Sequence, residues 1–239
     1  MNIYAIPTAA SRIAGNSYVG RGIIIGTTPT GKAVSAYFIM GRSENSRNRV
    51  FTEHGGDIFT EPHDPAKVED PSLIIYAAVR KLENKLIVTN GDQTDTIRDA
   101  LLTGKGFRCA LTTRAFEPDA PNFTPRISGM ITFAEDGFSY DMSILKSIDE
   151  KGTDCARFYF SYPSLPGLGH FIHTYVCDGN PIPTFQGEPE RVAIPEDIDA
   201  LTEELWTSLD ENNKISLYVR YTDPKTGDYT DRLINKNKA

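Results

Sequence analysis

Three arginines fall within nine positions at Gly41-Arg42-Ser43-Glu44-Asn45-Ser46-Arg47-Asn48-Arg49, interleaved with two serines and two asparagines. Guanidinium forks and hydroxyl donors match phosphate oxygens, so the segment reads as an anion site, although a solvated basic loop has the same composition. A second candidate is Thr89-Asn90-Gly91-Asp92-Gln93-Thr94-Asp95-Thr96, a strand-to-helix turn. Free N–H groups and the positive dipole end at such a helix start suit a phosphate or a polar ring edge. Asp92 or Thr94 is equally suited to be a plain N-cap. Glu117, in Phe116-Glu117-Pro118-Asp119, and the Thr124-Pro125-Arg126-Ile127 stretch lie in a loop between elements. A partly desolvated carboxylate there can act as general acid or base. His170 and His173 stand three apart, and on a strand that spacing points them to opposite faces, which argues against one shared ion. Cys109, Cys155 and Cys177 have no CxxC partner. No metal site is therefore expected. The GxGxxG, GxxxxGK[ST] and GxSxG patterns are absent, which leaves dinucleotide-binding, P-loop and nucleophile-elbow readings without support.

Composition narrows the partners. With 25 Lys+Arg against 32 Asp+Glu the formal net charge is −7, which disfavours duplex nucleic acid, whose phosphates reward a basic surface. The start, Met1-Asn2-Ile3-Tyr4-Ala5-Ile6-Pro7, lacks the basic and apolar regions of a signal peptide. The longest stretch free of Asp, Glu, Lys and Arg, Phe158 to Cys177, is interrupted by Pro163, Pro166, Gly167 and Gly169. A membrane-spanning helix is not expected there. Three widely spaced cysteines fit reduced thiols and a cytoplasmic compartment.

The elements that must carry these residues follow from periodicity. Tyr18–Gly26 and Ala33–Met40 read as strands joined by a turn at Pro29 and Gly31. Asp70-Pro71 predicts a helix start, with Leu73, Tyr76, Ala77 and Arg80 at helical spacing to about Leu82. Leu86–Thr89 is a short buried strand, Thr94–Leu102 a helix, and Phe107–Ala115 a further one. Alternating aromatic runs from Ile127 to Val176 predict several antiparallel strands. Pro195-Glu196-Asp197 opens an amphipathic helix carrying Ile198, Leu201, Leu205 and Leu209, and Ile215–Tyr221 with Tyr229–Ile234 form a closing hairpin. Residues 1–239 read as one domain, with an extension at 1–16 and a polar tail at 235–239. Hairpins with helices between them make an α+β layered sandwich.

Taken in order, these segments resemble the archaeal-type IMP cyclohydrolase family. The matching pieces are Tyr18-Val19-Gly20-Arg21, Ala36-Tyr37 leading to Arg42-Ser43, Val88-Thr89-Asn90-Gly91 with Thr94-Asp95-Thr96-Ile97, Glu117-Pro118-Asp119 and Thr124-Pro125-Arg126-Ile127. They span roughly residues 18–145. The resemblance implies a four-layer αββα sandwich similar to N-terminal-nucleophile hydrolases. It also implies closure of 5-formamidoimidazole-4-carboxamide ribotide (FAICAR) to IMP, the last step of inosinate synthesis. That closure demands neither metal nor ATP, and no enzyme nucleophile, because the substrate's carboxamide nitrogen attacks its own formyl carbon.

The family's reaction centre holds an arginine, a tyrosine and a glutamate, which correspond to Arg47, Tyr76 and Glu117. Gapless counting selects Arg47, whereas the local Asn-Arg match selects Arg49. Arg21, Arg42, Ser43, Asn90 and Thr94 are the candidates for the 5′-phosphate, with Arg49, Gly91, Thr124 and Arg126 as further substrate contacts. The implied partner is a purine nucleotide (FAICAR or IMP), with no cofactor, nucleic acid or membrane, and with copies of the chain associating. Two alternatives remain at this point: a purine-nucleotide-binding regulator without turnover, and an amidohydrolase of the same fold.

Overall fold

The computed structural model describes residues 2–68 and 74–237. From the N-terminus the chain runs through α1 (Ala10–Ile13), β1 (Arg21–Thr27), β2 (Ala33–Met40), α2 (Glu44–Arg47), β3 (Val50–His54), β4 (Asp57–Glu61), β5 (Tyr76–Leu82) and β6 (Lys85–Thr89). Two helices follow, α3 (Gln93–Leu102) and α4 (Phe107–Leu111), then β7 (Arg126–Ala134), β8 (Gly137–Ser147), β9 (Cys155–Pro163), β10 (Leu168–His173) and β11 (Glu190–Ala193). Helix α5 (Ile198–Ser208) and the hairpin β12 (Lys214–Thr222) and β13 (Tyr229–Asn235) complete it.

The strands form two antiparallel sheets, one ordered β11-β10-β1-β2-β12-β13 and the other a meander from β3 to β9. Strand β1 shows why the layers stack as they do. Its Ile23-Ile24-Ile25 run is buried on both faces. Period-2 alternation sends Ile23 and Ile25 into a core shared with Tyr76, Ala78, Val88 and Ile127 of the other sheet. Ile24, Ala36 and Phe38 face the opposite way, under Ile13 of α1 and Leu201 and Leu205 of α5. On the far side, Ile97, Phe107 and Leu111 of α3 and α4 cover Ile87, Met130 and Leu145. The order is helix, sheet, sheet, helix. Among the described residues no helix is long and apolar enough to cross a membrane.

One expected element is corrected. Residues 69–73, where the helix start is predicted, lie outside the described residues, and Tyr76–Leu82 is strand β5. The 3.6-residue pattern there competes with a better use of the same side chains. Tyr76 and Ala78 enter the inter-sheet core, while Arg80 reaches Asp57 and Asp95 at 2.8 Å each. Pairing on both edges, to β4 and β6, overrides local helical preference. The hairpin of β3 and β4 has no counterpart in the periodicity reading, and α4 stops at Leu111, short of Ala115.

Close packing of β1 against β10 depends on paired glycines. A Cβ at Gly26 would lie 2.6 Å from the Gly169 Cα and 2.8 Å from the Leu168 carbonyl oxygen. Backbone cannot swing aside as a side-chain tip can. Gly26→Ala is therefore expected to lose about 1–3 kcal/mol, read as a urea midpoint shift at unchanged slope.

Candidate active site

Arg21 opens β1 on the same face as Ile23 and Ile25, so it enters the inter-sheet layer at its end rather than in its apolar middle. Tyr37, opposite Ile23 in the β1–β2 register, shares that layer. Tyr76 comes from the first position of β5 and Arg49 from the residue before β3. Glu117 lies in the loop between α4 and β7. These groups meet in one buried cluster, with Arg21, Arg49 and Glu117 exposed by only 7%, 5% and 4%.

The cluster is electrostatically incomplete. The Nε atoms of Arg21 and Arg49 are buried and have no hydrogen-bond partner among the described residues. Burial and the neighbouring Arg21 push the Arg49 pKa down. At Arg21, burial acts against the charge but is outweighed by Glu117 and by Tyr18, Tyr175 and Tyr76, which hold it protonated. Burial pushes the Glu117 carboxyl above the ordinary range, against the pull of Arg21, Arg126 and Arg49. A carboxyl raised in this way is better suited to accept and return a proton than an ordinary exposed carboxylate. Two guanidiniums beside it, each with an Nε that has no partner among the described residues, offer charge to an anionic or oxyanionic ligand.

The loop that presents Glu117 is fastened at several points. The Glu117 N–H donates to the Thr124 carbonyl at 2.9 Å, and Asp119 accepts from the Thr124 N–H at 2.6 Å. Thr124 Oγ1 also donates to Asp119, so the buried Tyr175 hydroxyl donates to Thr124 Oγ1 at 2.5 Å. Phe116 and Phe123 meet edge to face, their centroids 5.4 Å apart. Asn48 prepares Arg49 in a comparable way. Its amide exchanges hydrogen bonds with the backbone of Asp64, at 2.7 and 2.8 Å.

The other sequence candidates are distributed differently. Arg47 is exposed at the end of α2, donating to the Gly41 carbonyl at 3.1 Å and to Asn213 Oδ1 at 2.9 Å. It does not join the cluster. Ser43 caps α2 by exchanging hydrogen bonds with Ser46. Arg42 pairs with Asp178, donates to the Gly179 carbonyl at 2.9 Å, and lies 5.2 Å over the Tyr18 ring.

The turn before α3 is internally satisfied. Asn90 bridges the Pro125 carbonyl and the Ile127 N–H, each at 2.9 Å. Thr94 Oγ1 meets Thr89 Oγ1 at 2.6 Å. Arg126 donates to Asp92 at 2.8 Å and to Gln93 at 2.7 Å. At Gly91 a Cβ would lie 2.5 Å from Arg126 Nη1, so the glycine admits that guanidinium. Asp92 is no side-chain cap. Burial would raise its pKa, but Arg114 and Arg126 together bring it down.

His170 and His173 each have separate partners. His170 Nδ1 lies 2.6 Å from the Tyr140 hydroxyl, and its ring stacks on Tyr162 at 3.6 Å. Burial, then Arg191, hold its pKa down to about 4. His173 Nδ1 lies 2.7 Å from the Tyr175 carbonyl.

Tyr37, Tyr18, Tyr175 and Asp119 are members that sequence reasoning did not nominate. Tyr18 and Tyr37 stand inside the quoted motifs, and the strand parity that brings Arg21 inward also brings in Tyr37. Asp119 likewise stands inside the quoted Glu117-Pro118-Asp119 piece, whereas Tyr175 carries no such local signal.

A family model described as IMP cyclohydrolase-like protein matches residues 18–227. Over 122 residues the chain is 36% identical to the IMP cyclohydrolase of Methanopyrus kandleri, covering 49% of this chain and 60% of that one. It is 34% identical over 120 residues to the IMP cyclohydrolase of Methanothrix thermoacetophila, covering 48% and 58%. A longer match of 167 residues, 28% identical, joins it to the IMP cyclohydrolase of Methanococcus aeolicus over 67% and 75% of the two chains. The first two matches thus span about three fifths of each relative's length.

Proposed function

The chain belongs to the IMP cyclohydrolase-like family, and on that premise we propose that it closes FAICAR to IMP. In this reaction the carboxamide nitrogen forms a bond to the formyl carbon. That nitrogen and the formamide nitrogen each lose one proton, and the former formyl oxygen departs as water with two. The observation that carries the reading is the buried meeting of Arg21, Arg49, Tyr76 and Glu117, with both guanidinium Nε atoms unpartnered among the described residues.

Each step asks for a group of the kind present. Arg49 stabilises the negative charge that grows on the formyl oxygen, a contribution of roughly 3–4 kcal/mol by analogy with oxyanion holes. Tyr76 donates a hydrogen bond to the same region. Glu117 takes a proton from nitrogen and returns one to the leaving oxygen. Arg21 balances Glu117 and helps hold the reacting amides face to face, and that positioning lowers the barrier further. Arg42, half-buried beside Tyr18, is the 5′-phosphate donor once the phosphate replaces Asp178 as its partner. Arg47 takes no part.

The helix, sheet, sheet, helix order supports kinship with N-terminal-nucleophile hydrolases. Strand β1 opens on Arg21 rather than on Thr, Ser or Cys, in keeping with a substrate that supplies its own nucleophile. Free Cys109, Cys155 and Cys177 support a cytoplasmic setting.

The purified chain, dialysed against a strong chelator, is expected to form IMP from FAICAR, followed by chromatography, well above the spontaneous rate. No gain over that rate at saturating substrate would overturn the proposal.

A further inference from the structure

Tyr37 is fully buried where β2 crosses the inter-sheet layer, and its hydroxyl lies 2.8 Å from that of Tyr76. The guanidiniums of Arg21 and Arg49 bear on this pair of hydroxyls. A guanidinium has five donors and no acceptor. The Tyr37 proton therefore has one acceptor among the described residues, the oxygen of Tyr76. Were Tyr76 to donate instead, its proton would be spent on Tyr37 rather than offered to a ligand, and the buried Tyr37 proton would have no acceptor among the described residues. Burial and the adjacent Tyr76 also keep Tyr37 neutral, raising its pKa well above the usual value.

We infer that Tyr37 is a positioning residue: by donating to the Tyr76 hydroxyl it turns the Tyr76 proton toward the ligand and makes Tyr76 a fixed donor to a substrate oxygen. This rests on the reading of Tyr76 as part of the reaction centre. A phenol that accepts one hydrogen bond is polarised to give a stronger one, so the pair acts as a short relay with a single direction. With the Tyr76 proton committed to a substrate oxygen, proton removal in this reading falls to Glu117.

The relay predicts a specific pattern of kinetics. Tyr37→Phe keeps ring and packing and should lower kcat about tenfold with KM within about twofold, the fold-change expected for one hydrogen bond felt in the transition state. Tyr76→Phe should cost more. The double variant should be no slower than Tyr76→Phe alone, because Tyr37 then has nothing to orient. Multiplying losses in the double variant, or an unchanged kcat in Tyr37→Phe, would overturn the inference, with thermal melts confirming folding in each.

A second readout does not depend on turnover. In protein labelled with ζ-carbon-13 tyrosine, deuterium isotope shifts should show a slowly exchanging Tyr37 hydroxyl proton in the wild type and fast exchange in Tyr76→Phe. Fast exchange in the wild type would refute the hydrogen bond itself. A wild type that fails to make IMP but retains the slow proton would instead sink the cyclohydrolase reading alone.

Discussion

Glu117→Gln lowers kcat by about 10²–10⁴ while KM stays within a few-fold, the expected loss for a general acid–base whose shape is kept and whose proton is not. The substitution retains one hydrogen-bonding edge, so ground-state contacts change little. The same variant should not lose stability at neutral pH, and the sign follows from linkage. Burial raises the folded pKa of Glu117 against the pull of three arginines, so the folded chain binds this proton more tightly than the unfolded one. Stability then falls as pH rises from the unfolded value, about 4.3, through the folded value. Glutamine is neutral throughout and escapes that fall. The Tm of Glu117→Gln at pH 7 is therefore expected to equal or exceed the wild type's, with the difference closing below about pH 4. A slow variant with a lowered Tm would mean that Glu117 works chiefly as a counter-ion to Arg21, and a normal kcat would remove it from the chemistry.

Glu117 was legible because Glu-Pro-Asp is short, ungapped and followed at fixed distance by Thr-Pro-Arg. Both pieces belong to one fastened loop, in which Asp119 and Thr124 hold each other. The apolar runs of β1, β2, β6 and α5 were legible for a similar reason. Each is long enough to bury a face, and its neighbours in sequence include the turn or cap that ends it. Strand β5 was not, because Leu73, Tyr76, Ala77 and Arg80 fit a helical stripe as well as they fit a strand. Only the partner strands β4 and β6, distant information for a local reading, decide between them. The turn before α3 shows the opposite failure. Asn90, Gly91 and Thr94 have the composition of a phosphate cradle, yet their hydrogen-bonding capacity is taken up by Pro125, Ile127, Gln93 and Thr89. Tyr175, two residues past the end of β10 and over fifty residues from Thr124, enters the site through a contact that no spacing within either segment encodes.

Arg49→Ala should reduce kcat by about 10²–10³, the range seen when a single oxyanion-stabilising donor is removed, whereas Arg47→Ala should leave kcat within about twofold. Gapless counting along Asn45-Ser46-Arg47-Asn48-Arg49 favours Arg47, but the chain spends Glu44–Arg47 on one helical turn. That turn carries Arg47 out to Gly41 and Asn213 and delivers the next two residues into the sheet junction. There Asn48 is buried and clamped to Asp64, so Arg49 enters the cluster with its direction already set. Electrostatics supplies a second test. Arg49 is held in its charged form against burial and the repulsion of Arg21, so replacing it relieves strain, and Tm should not fall despite the lost side chain. Arg47→Ala instead gives up two hydrogen bonds at an exposed position, and a decrease of about 1 kcal/mol in stability is the reasonable bound. Opposite rankings in rate and in stability are thus expected for the two variants, one slow and sturdy, the other fast and slightly weakened. Arg49→Lys should recover part of the rate, since it restores charge without the planar fork. Normal turnover in Arg49→Ala beside a severe loss in Arg47→Ala would mean that the α2 turn rearranges when substrate binds, bringing Arg47 inward and reversing the assignment.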